Sequence, residues 1–518
     1  MFARVMSAAV VGMEAVPVEV EVELLSGCLP SFTIVGLPDK AVQESKERVI
    51  AAVRKVVGKW PWHKITVNLA PADLPKAGSG FDLPIALGIL ASSGEIKLPE
   101  NSMCVGELNL AGDIKGVPGV LAVAELTKEG KYSRLVIPRA NEMEARLSGV
   151  EWVSTDRLGD LVKLLNNGKW LIQNGCTGRN VETMTLEART RQRDRLIALS
   201  GKKAVQYECD FSMVRGQAVA KRALEIAAAG GHNLLMVGPP GSGKTMLANA
   251  FPSILPPLNE DEALEVTKIY SIAGKLPRGA GLIEARPFRK PHHTASISAI
   301  VGGGTLPRPG EITLAHRGVL FLDEFGEFPK SMLDALRQPM EDGTVTVSRA
   351  AGIVTFPSRF LLLAAMNPCP CGYLNDPKHK CNCSQAQLQI YQRKLSGPIL
   401  DRIDLVVRVD RPTKEELEGV ETSNAPVTSS TEVRTRVARA FSKTGWKIDD
   451  MKTLETLVVP EAKRALTSAV NRYAISARGY CKILRTARTI SVLGGSRQIE
   501  TKHISEALNF RGEKIDNK

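Results

Sequence analysis

The stretch Gly238-Pro239-Pro240-Gly241-Ser242-Gly243-Lys244-Thr245 decides the fold. Two glycines with four residues between them, then Lys and Thr, form the pattern of a phosphate-binding loop. Glycines let the backbone curl so that successive N–H groups point at the β-phosphate. Lys244 reaches the β and γ oxygens, and the Thr245 hydroxyl takes a position on Mg²⁺. The apolar run before the loop, 232–237, predicts a short buried strand, and 245–250 opens a helix whose N-terminus favours anions. About eighty residues on stands Gly318-Val-Leu-Phe-Leu-Asp323-Glu324, an apolar strand ending in two carboxylates. Asp323 is expected to hold Mg²⁺, directly or through water, and Glu324 to polarise the attacking water. Either segment alone has a plain alternative, a glycine-rich turn or an acid-capped strand. Both in this order imply a machine that hydrolyses ATP.

The 518 residues suggest about three domains, and 43% hydrophobic residues give each a core. A net charge of +13 fits a polyanionic partner, which ATP alone does not require. Aromatic residues make up only 5%, so stacking of bases on an aromatic platform is not the expected binding mode. Nine cysteines, five of them scattered singly, argue for reduced thiols rather than a disulfide framework. No apolar run approaches membrane-spanning length, so no membrane partner is expected and the chain reads as cytoplasmic.

Residues 1–175 read as an α+β unit with no phosphate loop of its own. Val16-Pro-Val-Glu-Val-Glu-Val-Glu23 alternates apolar and acidic residues, as a half-buried strand does. Residues 40–57 and 81–91 have helical spacing, while 64–69 and 134–138 read as strands. Residues 176–210 are a polar linker, 211–411 an α/β motor core with a parallel sheet, 412–430 a second linker, and 431–518 a helical lid.

These residues resemble a known family, the magnesium chelatase-like ATPases of the ComM/YifB type, within the ring-forming AAA+ class. The likeness covers nearly the whole chain. It is carried by Phe32-Thr-Ile-Val-Gly-Leu-Pro-Asp39, Asn68-Leu-Ala-Pro-Ala-Asp73, Arg286-Pro-Phe-Arg-Lys-Pro-His-His293, Ala364-Ala-Met-Asn-Pro-Cys-Pro-Cys-Gly372, Leu400-Asp-Arg-Ile-Asp-Leu405 and Arg485-Thr-Ala-Arg-Thr489. The resemblance implies that Asn367 is the polar sensor orienting the attacking water. It implies that Arg402 is an arginine finger serving the neighbour's γ-phosphate, the alternative being a salt bridge with Asp401 or Asp404. It implies that Arg478 is the second sensor, with Arg485 competing for that place, and that Val214 to Gln217 flank the adenine.

Two insertions resemble those of chelatase motors and replicative helicases. One holds Arg286, the pair His292 and His293, and Gly302-Gly-Gly304. The two histidines lack an evident partner in the sequence and read as structural rather than as metal ligands. The other, 341–349, fits a hairpin before the sensor. Its likeness to helicase hairpins makes Arg349 and Arg359 candidate DNA phosphate contacts, a grip that ignores sequence.

Cys369, Cys371, Cys381 and Cys383 frame a polar loop. Four thiolates satisfy tetrahedral Zn²⁺, although the spacing within each pair is one residue shorter than usual. Reduced thiols in a loop are the alternative, and His379 is a further candidate ligand. The first domain resembles Lon-type proteases, but Gly80 and Leu121 fall at the positions of the Ser–Lys dyad, so proteolysis is disfavoured. The expected function is therefore an ATP- and Mg²⁺-dependent, homo-hexameric DNA motor, a helicase promoting branch migration in recombination and natural transformation. A metal chelatase motor acting on a tetrapyrrole is the main rival, and an ATP-dependent protease the second.

Overall fold

A computed structural model describes residues 1–166, 207–412 and 429–511, apart from 59, 61–62, 99–100, 131, 278, 305–306, 350–351, 377, 395–396 and 447–449. Most of both expected linkers, 176–206 and 413–428, lies outside the described residues, as does the Arg349 side chain.

The first unit is a mixed seven-stranded sheet. Its strands are β1 (Phe2–Val11), β2 (Glu14–Leu25), β3 (Ser31–Val35), β4 (Lys64–Ala70), β5 (Ser102–Cys104), β8 (Arg134–Pro138) and β9 (Glu151–Thr155), with a small ladder of β6 (Glu107–Leu108) and β7 (Ile114–Lys115) beside it. The order is β3-β4-β2-β1-β5-β8-β9. The alternation in β2 sets its faces: Val18, Val20, Val22 and Leu24 are fully buried, while Glu19, Glu21 and Glu23 point the other way. The helix Lys40–Val57 packs an apolar stripe of Val42, Val49, Ala52 and Val53. It starts at Asp39, whose side chain accepts from the Val42 amide at 2.8 Å. The helix Asp82–Ser92 is apolar all round and almost wholly buried, as that pattern demands.

The second unit holds β10 (Leu234–Val237), β11 (Phe288–Arg289), β12 (Gly302–Gly303), β13 (Arg308–Pro309), β14 (Val319–Leu322), β15 (Thr344–Arg349), β16 (Gly352–Pro357), β17 (Leu361–Met366) and β18 (Leu405–Arg408). Five of them form a parallel sheet in the order β11-β14-β17-β10-β18. β10, β14 and β17 are near-continuous apolar runs because both faces are covered. Leu234, Met236, Phe321, Leu363 and Val407 face one cluster, which also takes in Val437, Leu484 and Ile504 from the C-terminal helices. Leu235, Leu320, Leu322, Leu362 and Ala364 face the other, with Phe325, Phe328 and Tyr391. The lid helices therefore share a core with the sheet. The buried Arg286 guanidinium strengthens that union: it lies 4.3 Å from the Trp446 ring centroid and donates to Pro256 O at 2.8 Å and Arg317 O at 2.7 Å.

β15 and β16 form a hairpin in register from Thr344 opposite Pro357 to Arg349 opposite Gly352. Its apolar face, Val345, Val347, Val354 and Phe356, packs against Val301 of the preceding insert and against Met13. Met13 lies in the β1–β2 turn, so the first unit touches the hairpin. A second junction joins the units through Lys268, which meets Glu125 at 2.5 Å, and Ser271, whose carbonyl accepts from Gly119 N at 3.0 Å.

Candidate active site

The phosphate-loop stretch spans the exit of β10 and the start of the helix Lys244–Ala250. Gly238 is forced by proximity, since a Cβ there would collide with Val409 O at the end of β18. Gly241 and Gly243 take φ values of 77° and 90°, the left-handed region that glycine adopts without strain. A Cβ built on either would meet no protein atom within 4 Å, so the loop opens onto free space. The loop and Lys244 thus form a concave cradle of the kind a polyphosphate fills.

Lys244 is buried, and its ammonium donates to the loop carbonyls of Gly238 at 2.7 Å and Pro239 at 2.8 Å. It also reaches Asn367 Oδ1 at 3.3 Å. Burial pulls its pKa down to about 8, against the pull of the Asp323 carboxylate. Parallel pairing of β10, β14 and β17 is what brings these groups together: each strand ends at the same edge, as sites in parallel sheets do. Asn367 follows β17, and its carbonyl accepts from the Tyr391 hydroxyl at 3.0 Å. Asp323 follows β14 and accepts from Thr245 Oγ1 at 3.0 Å. Glu324, the next residue, has φ 53° and a half-exposed carboxylate. Gln217, at φ 56°, donates from Nε2 to Asp410 O at 2.6 Å and lies beside Ser242 O at 3.4 Å. Val214 is buried behind it.

Two further side chains enter the site that the sequence reading set aside or missed. Lys290 Nζ lies 3.3 Å from Asp323, and His293 Nδ1 lies 3.1 Å from Glu324. The expectation that His293 has no partner is thereby corrected. Both residues follow β11, the edge strand beside β14, and parallel pairing of those strands carries them to the two carboxylates. No local spacing in the sequence reports such a contact. His292 instead bonds Thr294 Oγ1 at 2.8 Å.

Arg402 and Arg478 meet at another carboxylate. Both pair with Glu341 Oε1, at 2.5 Å and 3.3 Å. Asp404, one of the alternative partners considered for Arg402, accepts from the Asn233 amide at 2.9 Å. Arg359 sits at the base of the hairpin, its side chain against Gly343 and its amide donating to His316 Nδ1 at 3.0 Å. In the first unit, Ser79 bonds Glu107 and Lys115 lies 4.0 Å from Asp113.

The four cysteines do converge. Their sulfurs all lie within 4.8 Å of one another, with Cys369 and Cys371 3.3 Å apart and Cys371 and Cys381 3.5 Å apart. A tetrahedral set with Zn–S bonds of about 2.3 Å has sulfurs about 3.8 Å apart, so the donors fit. Burial pushes the Cys369 thiol up to about 12. The cluster abuts the cradle: a side chain at Gly372 would collide with the Pro240 ring. His379 is not among the converging donors; it stacks on Tyr373 with ring centroids 4.9 Å apart.

Comparison with known proteins gives the chain's family. A family model described as "Magnesium chelatase, subunit ChlI" matches residues 210–417, "Subunit ChlI of Mg-chelatase" matches 20–141, and "Magnesium chelatase, subunit ChlI C-terminal" matches 427–511. Competence protein ComM of Haemophilus influenzae is 41% identical over 98% of this chain and 97% of its own length. The chain belongs to the ComM/YifB magnesium chelatase-like family. YifB of Escherichia coli K12 is 39% identical over 97% of the chain and 96% of its own. More distantly, the zygotic DNA replication licensing factor mcm6-B of Xenopus laevis is 26% identical over 55% of the chain and 32% of its own length. The ComM/YifB family is an AAA+ ATPase-like group, and the parallel sheet with its phosphate loop accords with that membership. Among the described residues no helix is long and apolar enough to cross a membrane.

Proposed function

We propose that this chain is an ATP-hydrolysing motor that assembles as a homo-hexameric ring and works on DNA, promoting branch migration in recombination and natural transformation. One observation carries the hydrolytic part: the open glycine cradle, Lys244, Thr245, Asp323, Glu324 and Asn367 converge at one edge of the sheet. The loop amides and Lys244 would hold the triphosphate, and Thr245 with Asp323 would hold Mg²⁺, which supplies charge neutralisation at the transferring phosphoryl group. Glu324 accepts the proton of the attacking water, and Asn367 orients that water. Val214 and Gln217 flank the base. Arg402 serves the γ-phosphate held by a neighbouring subunit, which is why a ring is needed, and Arg478 on the lid is the second sensor that contacts nucleotide.

The DNA part draws on the relatives' printed names, the basic balance and the hairpin. Arg349, at the hairpin end opposite Gly352, and Arg359 at its base are the candidate phosphate contacts. Arg349→Ala is expected to lose most of the stimulation of ATPase by DNA, with basal hydrolysis kept within about twofold. Equal loss of both activities would place Arg349 in folding or in hydrolysis instead. The family descriptions leave a chelatase motor as the second reading, favoured if DNA neither binds nor alters turnover.

Cys369, Cys371, Cys381 and Cys383 would hold a structural Zn²⁺ that fastens their loop against Pro240 and the phosphate cradle. Freshly reduced protein is expected to contain about one zinc per chain by elemental analysis. Cys381→Ser should lose the metal and melt at lower temperature. Protein free of metal, with the Cys381→Ser melting point unchanged, would establish reduced thiols.

A further inference from the structure

Glu341 is used by none of the chemistry above, yet it organises two of its residues. It lies in the short helix Arg337–Asp342 at the foot of β15. One oxygen, Oε1, receives Arg402 Nη2 at 2.5 Å and Arg478 Nη2 at 3.3 Å. Arg402 comes from the turn before β18 and Arg478 from the lid helix Ala477–Leu493, so residues far apart in the chain meet at this carboxylate. The Arg402 hydrogen bond, with Arg478 and Arg337 adding, holds the Glu341 carboxyl below the usual carboxylate range. Charges of both signs surround the pair: Arg337 pairs with Asp334 at 3.5 Å, and Lys482, near Asp401 and Asp404 as well as the two arginines, donates to Ile403 O at 2.7 Å.

Two guanidiniums on one anionic oxygen is how arginines grip a phosphate oxygen. A carboxylate offers one negative charge to these two cations. A terminal phosphate offers more charge and three oxygens, so it displaces the carboxylate when it arrives. In the single chain both arginines are turned to Glu341.

We propose that Glu341 is a placeholder: in the single chain its carboxylate occupies the position on Arg402 and Arg478 that a phosphate of ATP bound to a second copy occupies in the assembled ring. This rests on the reading that Arg402 acts across subunits. Glu341 keeps the two arginines oriented and relieves their mutual repulsion before assembly. The same contact must be given up on assembly, so it sets a threshold. Wild-type subunits need a higher concentration to become active than subunits with the placeholder removed.

The test is ATP turnover per subunit as a function of protein concentration, for wild type and Glu341→Gln at saturating ATP. An exposed ion pair of this kind contributes modestly, so Glu341→Gln is expected to move the half-activation concentration down by about two- to fivefold. Turnover at saturating subunit concentration should stay within about twofold of wild type, and Glu341→Asp, which keeps the charge, should shift the midpoint less. A midpoint that does not move, or that rises, overturns the placeholder. So does saturating turnover lowered about tenfold, which would mean that Glu341 works inside the assembled site. Wild-type turnover per subunit that is independent of concentration down to a measured monomer overturns the trans reading itself, a result distinct from an unmoved midpoint.

Discussion

Glu324→Gln is expected to bind ATP about as well as the wild type and to hydrolyse it at least a hundredfold or so more slowly, the usual scale for loss of a general base. The substitution keeps the shape of the side chain and an oxygen for the place beside His293 Nδ1, 3.1 Å away in the native chain. It removes only the basicity that takes a proton from water. Thr245 and Asp323, 3.0 Å apart, are untouched, so nucleotide and Mg²⁺ retain their ligands. Nucleotide binding followed by a fluorescent analogue, with phosphate release measured in parallel, separates the two steps. Wild-type turnover in Glu324→Gln would remove Glu324 from the role proposed for it. Lys244→Ala gives the complementary phenotype, because the loop then loses the buried cation bonded to Gly238 and Pro239 and binding itself falls.

Arg402→Ala is expected to lower hydrolysis about a thousandfold, the scale on which arginine fingers act, with ATP affinity much less affected. The geometry supplies the reason for the split: Arg402 bonds Glu341, whereas the loop, Lys244, Thr245 and Asp323 make up the cradle. Its loss therefore leaves the binding groups of the same subunit in place. The decisive form of the experiment mixes Arg402→Ala with Lys244→Ala subunits, each inactive alone. In a random equal mixture about a quarter of the interfaces join an intact cradle to an intact arginine, and activity should reappear there. Failure of rescue at every ratio, with mixed assembly verified, would assign Arg402 to its own chain.

Much of the motor core is legible in the sequence because its signals are local. The apolar runs of β10, β14 and β17 are continuous, which marks strands buried on both faces, and each ends in a polar residue that chemistry needs: the phosphate loop, Asp323 and Asn367. The alternation of β2 and the stripe of the helix Lys40–Val57 are equally local. The four cysteines were legible as a set despite their short spacing, since convergence at Sγ requires only that the polar loop turn back on itself.

What the sequence hides is contact between distant segments. His293 reaches Glu324 only because β11 pairs beside β14, a fact of sheet order that residue types do not encode. Glu341 meets Arg478 across 137 positions, and no periodicity announces it. Packing of Met13 on the hairpin core likewise depends on how the first unit lies on the second, and a lone methionine in a turn carries no such signal.

The most direct test of the central claim is the ATPase rate of the purified chain as single-stranded, duplex and forked DNA are each titrated in at low salt. A sequence-independent grip by arginines predicts that turnover rises with DNA whatever its sequence, and that the rise fades steeply as salt is added and counterion release becomes less favourable. ATP hydrolysis that is present but indifferent to every DNA, together with no DNA binding at low salt, would contradict the DNA motor and leave a chelatase-type motor in its place.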